Sequence, residues 1–279
     1  MSYILMNRRL IGLVAFILAM VIVAFVGPYF NPYKVEPQRW NYVPKDRPPS
    51  MEYPFGTTTL GQDVLWLTIY ALRESFAMGF ITAAISIAIS LIVGSLAAYV
   101  RSPVASEVVA SVIDAFCVMP LLPILITISL LWKQQLNPIF IGVILGVLGW
   151  GGFARIIRAA LLSLQERPFV YVAKASGYGF FDLLIKVYTP QVIGWLIVAF
   201  INRIIFAIGM EASLGLFGLT SLNRASIGSI IHWSLTYQAF LRGIWWWYTF
   251  PIVLVVVTVV VLYLIVFELQ KSLRRGVTL

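Results

Sequence analysis

One cysteine and one histidine are all that the chain holds of the two residues most often used to close disulfides or ligate transition metals. Cys117 can form no intrachain disulfide and no cysteine-based metal site, and inside an apolar run it reads as a small core residue. His232 stands beside Trp233 with no other ligand type grouped around it, which suits a packed or interfacial ring better than a metal ligand or a base. Charge is also scarce, at 11% of residues. No paired acidic residues share a cleft-like context, and no Ser-His-Asp arrangement or His-Glu-x-x-His occurs, so no catalytic constellation is expected. A glycine-rich phosphate loop ending in Lys-Ser/Thr is missing as well, and with it an ATP site in this chain.

What the sequence has is apolar surface: 61% of its 279 residues are hydrophobic and the mean hydropathy is +0.93, values that call for a bilayer as solvent. The net charge of +9 does not point to nucleic acid, because the cations gather at the ends of apolar runs, as topology determinants do. Six runs are long enough to cross about 30 Å of hydrocarbon, near 10–28, 76–100, 108–132, 139–161, 183–209 and 244–267. The first lacks a small-x-small cleavage pattern around Gly27-Pro28-Tyr29 and reads as a retained helix. The fold class is therefore all-α integral membrane, with six transmembrane helices. There is no internal repeat and no low-complexity segment.

Orientation follows from Lys and Arg around the short connections. Arg8 and Arg9, Arg101, Arg155, Arg158, Arg167, Lys174 and Lys186, and Lys271, Arg274 and Arg275 all fall on one side if both termini are cytoplasmic. The other side holds Lys34, Arg39, Lys45, Arg47, Lys133, Arg224 and Arg242, several of them in long loops and diluted by Glu36, Asp46, Glu52, Asp63 and Glu211. The resulting division is an N-terminal helix (1–30), an external loop with an amphipathic segment (31–72), a five-helix core (73–267) and a cytoplasmic tail (268–279). Within the core lie a cytoplasmic loop (162–182) and a second external segment (211–242).

The cytoplasmic loop carries the most information. It offers Glu166-Arg167-Pro168-Phe169-Val170-Tyr171-Val172-Ala173-Lys174-Ala175-Ser176-Gly177, a small-residue, mildly basic stretch, followed by Thr189-Pro190. A short helix with Ala173 and Gly177 four residues apart would give a smooth face flanked by Tyr171, Lys174 and Tyr178. Gly177 and Gly179 let the chain turn, and Pro190 kinks the fifth span where it joins the loop. The external segments add Pro54-Phe55-Gly56-Thr57 through Val64-Leu65, turn-rich and then amphipathic, and Glu211 to Leu219 with closely spaced glycines.

Four blocks, taken in order, resemble a permease subunit of the dipeptide/oligopeptide/nickel class of ABC importers, specifically the second of its two paired permeases. Phe55-Gly56-Thr57 with Gly61-Gln62-Asp63-Val64-Leu65 is similar to FGTDxxGRDVL. Asp114 with Pro120 and Pro123 is similar to DxxxxxPxxP, Trp150 with Ala154-Arg155 and Arg158 to W-x3-AR-x2-R, and Glu211-Ala212 to Gly218-Leu219 to EAxLSFLGL. The loop itself resembles the importer signature E-A-A-x3-G with a later Pro, at Tyr171, Val172, Ala173, Gly177 and Pro190, departing at Tyr171 and Val172.

The resemblance implies a type I importer permease fold and a homologous second permease, with the path between the two. It also implies two cytoplasmic ATPase subunits that hold ATP and Mg and grip the loop at Tyr171, Val172, Ala173, Lys174, Gly177, Tyr178 and Pro190. An extracytoplasmic substrate-binding protein would touch the external segments, with Asp63, Glu211 and His232 as expected contacts. Cargo is expected to be peptide, with oligosaccharide or a nickel chelate as the other options; the aromatic cluster Trp245-Trp246-Trp247-Tyr248 reads as an interfacial belt. Asp114, Pro120, Asn202 and Arg203 are candidates for the path. Asp114 is expected to pair with Arg155 or Arg158, because an ionised group at membrane depth is costly unless paired, hydrated or facing a cavity. The rival reading is an ATP-independent secondary transporter or channel, whose hallmark of broken helices in matched halves is not visible in the sequence; a non-transporting scaffold is a third.

Overall fold

The computed structural model describes residues 8–100, 102–132 and 137–277; Arg101 and Lys133, used above for orientation, lie outside them, as do the side chains of Arg274 and Arg275. Among the described residues four helices are long and apolar enough to span a membrane: α1 (Arg8–Val26, continuing as a 3-10 turn over Gly27–Phe30), α2 (Val64–Tyr99), α9 (Thr189–Leu216) and α11 (Trp246–Val277). Two more spans are complete only if each bent pair counts as one: α3 (Pro103–Val118) with α4 (Leu121–Leu131), bent by 70°, and α5 (Pro138–Leu148) with α6 (Gly151–Gln165), bent by 41°. Short helices α7 (Pro168–Ala175), α8 (Phe180–Asp182) and α10 (Ile227–Thr236) complete the chain.

Each of these two bent spans is broken between its helices. At the first break Met119 is extended, with φ −62° and ψ 122°, because Pro120 forbids helical geometry in the residue before it and brings no N–H of its own. Pro120 therefore breaks the span outright and caps α4. The second break falls at Gly149 and Trp150, where Ser90 Oγ on α2 donates to the Trp150 carbonyl at 2.8 Å. The Trp150 carbonyl also accepts the first α6 hydrogen bond, from Ala154 N–H at 3.1 Å, so the break is tied to α2 through an acceptor that both helices use. The breaks sit in consecutive spans and not in matched halves.

α2 is the central post, 36 residues and so about 54 Å long at 1.5 Å per residue. It begins twelve residues before the expected span because no glycine or proline interrupts 64–78, so the amphipathic segment is the first part of α2 and not a separate helix. Small residues bring its neighbours close: a Cβ on Gly94 would meet the Ala154 carbonyl oxygen at 2.7 Å, and one on Gly142 would meet that of Met78 at 2.9 Å. Thr82 Oγ1 donates to the Gly142 carbonyl at 3.0 Å. Close backbone approach with hydroxyls bonded across helices is how spans associate when lipid removes the hydrophobic drive.

At the N-terminal end of α2 the segments expected to be external form one platform. Leu60, Val64 and Leu67 share a buried cluster with Ile227, Ile230, Trp246 and Trp247. Trp246 Nε1 donates to the Thr57 carbonyl at 3.0 Å, Phe55 stacks on Phe250, and Arg242 reaches Asp46 at 2.8 Å. Gly56 is required twice over, by its φ of +73° and because a Cβ would lie 2.5 Å from the Trp246 ring. This placement corrects the reading of the tryptophan cluster as a belt: Trp246 and Trp247 are buried between the segments and only Trp245 is exposed.

Candidate coupling and translocation site

The loop after α6 folds as a complete supersecondary unit. Pro168 occupies the first turn of α7, where a missing N–H costs nothing. The helix ends at Ala175, and Gly177, with φ +85°, terminates it: Tyr178 N–H donates to the Ala173 carbonyl at 3.2 Å and Gly177 N–H to that of Lys174 at 3.1 Å. That pair of bonds is a Schellman ending, which needs a left-handed residue after the helix. Gly177 is therefore a helix stop and not part of a smooth helical face, as the sequence reading had it. A Cβ there would meet nothing within 4 Å, so its conformation and not its bulk sets the requirement.

α7 has one packed face and one open face. Val170, 0% exposed, packs with Ala98 of α2, Leu161 of α6, and Leu183, Tyr188, Val192 and Leu196, while Ala173 lies at the edge of that cluster. One residue on, Tyr171 and Val172 are 64% and 65% exposed, and Ser176, Gly177 and Tyr178 extend the same open surface. Gln165 Nε2 donates to the Ala98 carbonyl, and Tyr99 meets Phe180 edge to face. The loop is thus bolted to the C-terminal end of α2 and to the start of α9.

The connection to α9 is a π-helical stretch, Leu183–Tyr188, in front of Pro190. Thr189 Oγ1 donates to the Leu184 carbonyl at 2.7 Å, five residues back. Pro190 brings no N–H, and the wide turn before it absorbs the defect that was expected as a simple kink. Lys186 pairs with Asp182 at 2.6 Å and lies 5.4 Å from the Tyr178 ring. Tyr188, buried beneath α7, carried no signal in the sequence beyond being one aromatic in an apolar run.

The path candidates are not in one place. Asp114 on α3 pairs with Arg155 on α6 at 2.6 Å, both side chains being exposed, so the expected pairing is found and it ties two spans together. Arg158 reaches Ser106 Oγ at 3.5 Å instead. Asn202 and Arg203 occupy the middle of the 28-residue α9. Asn202 Nδ2 donates to the Val198 carbonyl at 2.9 Å and the residue lines a groove of about 450 Å³ between α9 and α11, with Gly209, Ser213 and Tyr263. Arg203 lies over Phe153 at 4.7 Å and Phe206 at 5.4 Å.

Two of the expected binding-protein contacts are internal. Asp63 is 1% exposed; it caps α2 by accepting from Leu65 N–H at 2.9 Å and takes a hydrogen bond from Tyr33 Oη at 3.0 Å. Burial raises its carboxyl above the usual carboxylate value, opposed by the hydrogen bonds from Tyr33 and the first α2 amides. Glu211 is 0% exposed because α9 runs past the expected end of the span to Leu216 and crosses α10 there. A Cβ on Gly228 would come within 3.1 Å of its Oε1. Neither carboxylate reaches a docking protein in this conformation; His232, whose ring packs against Gly218, stays half-exposed at the platform.

Residues 90–279 match the family described as binding-protein-dependent transport system inner membrane component, and the chain belongs to that family. It is a multi-pass inner-membrane permease component of a transport system. It is similar to the dipeptide transport system permease protein DppC of Bacillus subtilis (strain 168), at 29% identity over 236 residues, covering 84% of this chain and 72% of the relative. The oligopeptide transport system permease protein OppC of Haemophilus influenzae is also 29% identical, over 234 residues, covering 81% and 74%. Among solved structures, an inward-facing MetNI methionine ABC transporter chain matches with a TM-score of 0.57 and 23% identity, covering 76% of this chain and 97% of that one. That likeness is one of fold: a type I ABC importer permease.

Proposed function

We propose that this chain is one of two homologous permeases in an ATP-driven importer of dipeptides or oligopeptides, with α7 as the handle gripped by an ABC ATPase subunit. The observation that carries the reading is the construction of α7: one face is exposed at Tyr171 and Val172, while Val170 anchors the opposite face to α2, α6 and α9. A push on such a helix moves the three spans that hold it. ATP and Mg belong to the ATPase subunits, both termini and α7 face the cytoplasm, and the platform at the other end of α2 receives a substrate-binding protein. Coupling requires that the ATPase bind the loop differently in its two nucleotide states, since a partner with equal affinity for both conformations shifts nothing.

Peptide cargo rests on the names of the relatives. The test is uptake by the complete complex in proteoliposomes, together with identification of what the purified binding protein retains. Peptide uptake that requires ATP and the binding protein is the expected result. A retained oligosaccharide would replace the cargo assignment, and uptake by this chain alone without ATP would overturn the importer reading.

A further inference from the structure

We infer that Arg203 is a specificity-determining residue that reads a carboxylate on the cargo as it passes the middle of the membrane. The inference rests on the peptide-importer reading above. Arg203 lies mid-way along α9, where an ionised group is costly unless paired, hydrated or facing a cavity. It makes no ion pair and no hydrogen bond among the described residues, in contrast to Arg73, Arg155, Lys186, Arg224 and Arg242. Its Nε is buried without an acceptor. What holds it is aromatic: Phe153 of α6 and Phe206 of α9 both lie within cation–π reach. These contacts fix the position of the guanidinium and leave its positive charge unneutralised.

The surroundings fit a waiting anion site. A Cβ on Gly149, at the α5–α6 break, would sit 3.1 Å from Arg203 Nη1, so glycine there leaves the terminal nitrogens their space. A planar fork with open N–H groups is matched to a carboxylate, which it can bind with two parallel hydrogen bonds. Every peptide with a free C-terminus carries that group, and Asp or Glu side chains carry it too.

The test compares uptake of three forms of one peptide by the assembled complex with its binding protein: free acid, C-terminal amide, and amide with one Glu side chain. Arg203→Gln is expected to lower free-acid uptake about 10- to 100-fold and amide uptake less than threefold, the size of effect of losing one charge-assisted bond. Arg203→Met, which keeps the aliphatic stem against both rings, is the second variant should Arg203→Gln fail to assemble. If the Glu-bearing amide behaves as the acid does, any cargo carboxylate is read; if it behaves as the plain amide, the C-terminus alone is. Equal losses, or none, for acid and amide in whichever variant assembles would overturn the proposal and leave the peptide reading standing. Failure of the wild-type complex to carry any of the three peptides would overturn both.

Discussion

Gly177→Val is expected to lower ATP-dependent uptake at least tenfold without lowering the amount of chain in the membrane. The residue at 177 holds φ +85°, a region that costs an ordinary L-residue about 1–2 kcal/mol and a β-branched one more. The two bonds that end α7, from Tyr178 N–H and Gly177 N–H, depend on that geometry. At about 2 kcal/mol the ratio of native to unwound endings falls roughly 30-fold, so an ATPase meets an intact α7 ending far less often. The control is Gly179→Ala: Gly179 has φ −75° and open space around a Cβ, and uptake should stay within about twofold. Co-purification of ATPase subunits should fall with the first variant and not with the second.

Gly215→Val acts on folding instead. A Cβ at 215 would stand 2.3 Å from the Gly228 Cα, and one at 228 would stand 2.5 Å from the Gly215 Cα, so α9 and α10 touch backbone to backbone. A side chain can swing aside, but two backbones cannot, and the crossing must open. Overpacking costs about 1–3 kcal/mol and at times more, and opening this crossing also exposes the buried Glu211 side chain between the helices. Loss of monodisperse protein on heating in detergent should come on the order of 10 °C lower. Gly152→Ala, on an open face of α6 with nothing within 4 Å, should leave the midpoint unchanged.

These glycines show where sequence reasoning reached and where it stopped. Hydropathy located the six apolar runs and the loop between the fourth and fifth, because a bilayer imposes length and composition on anything that crosses it. Glycine 177 was legible as a turn, since few residues other than glycine tolerate positive φ there. The side of the helix it belongs to was not, because the Schellman bonds depend on where α7 starts, and that is set by Pro168. Asp63 and Glu211 were read as acids of the external segments and as contacts of a binding protein, which requires them to be exposed. Their burial comes from tertiary packing that no local pattern encodes: Tyr33, thirty residues from Asp63, supplies a hydrogen bond, and Gly228 closes over Glu211. The Asp114–Arg155 pair was readable as a choice between two arginines on one helix, and the fold selects Arg155, while Arg158 meets α3 at Ser106 instead.

The most direct test of the central claim places a photo-crosslinking amino acid at position 171 in the assembled importer and compares nucleotide-free with ATP-bound states. An adduct between this chain and an ATPase subunit, with a yield that changes between the two states, is the predicted result. No adduct in either state, or modification of position 171 by a membrane-impermeant reagent added from outside the cell, would contradict it.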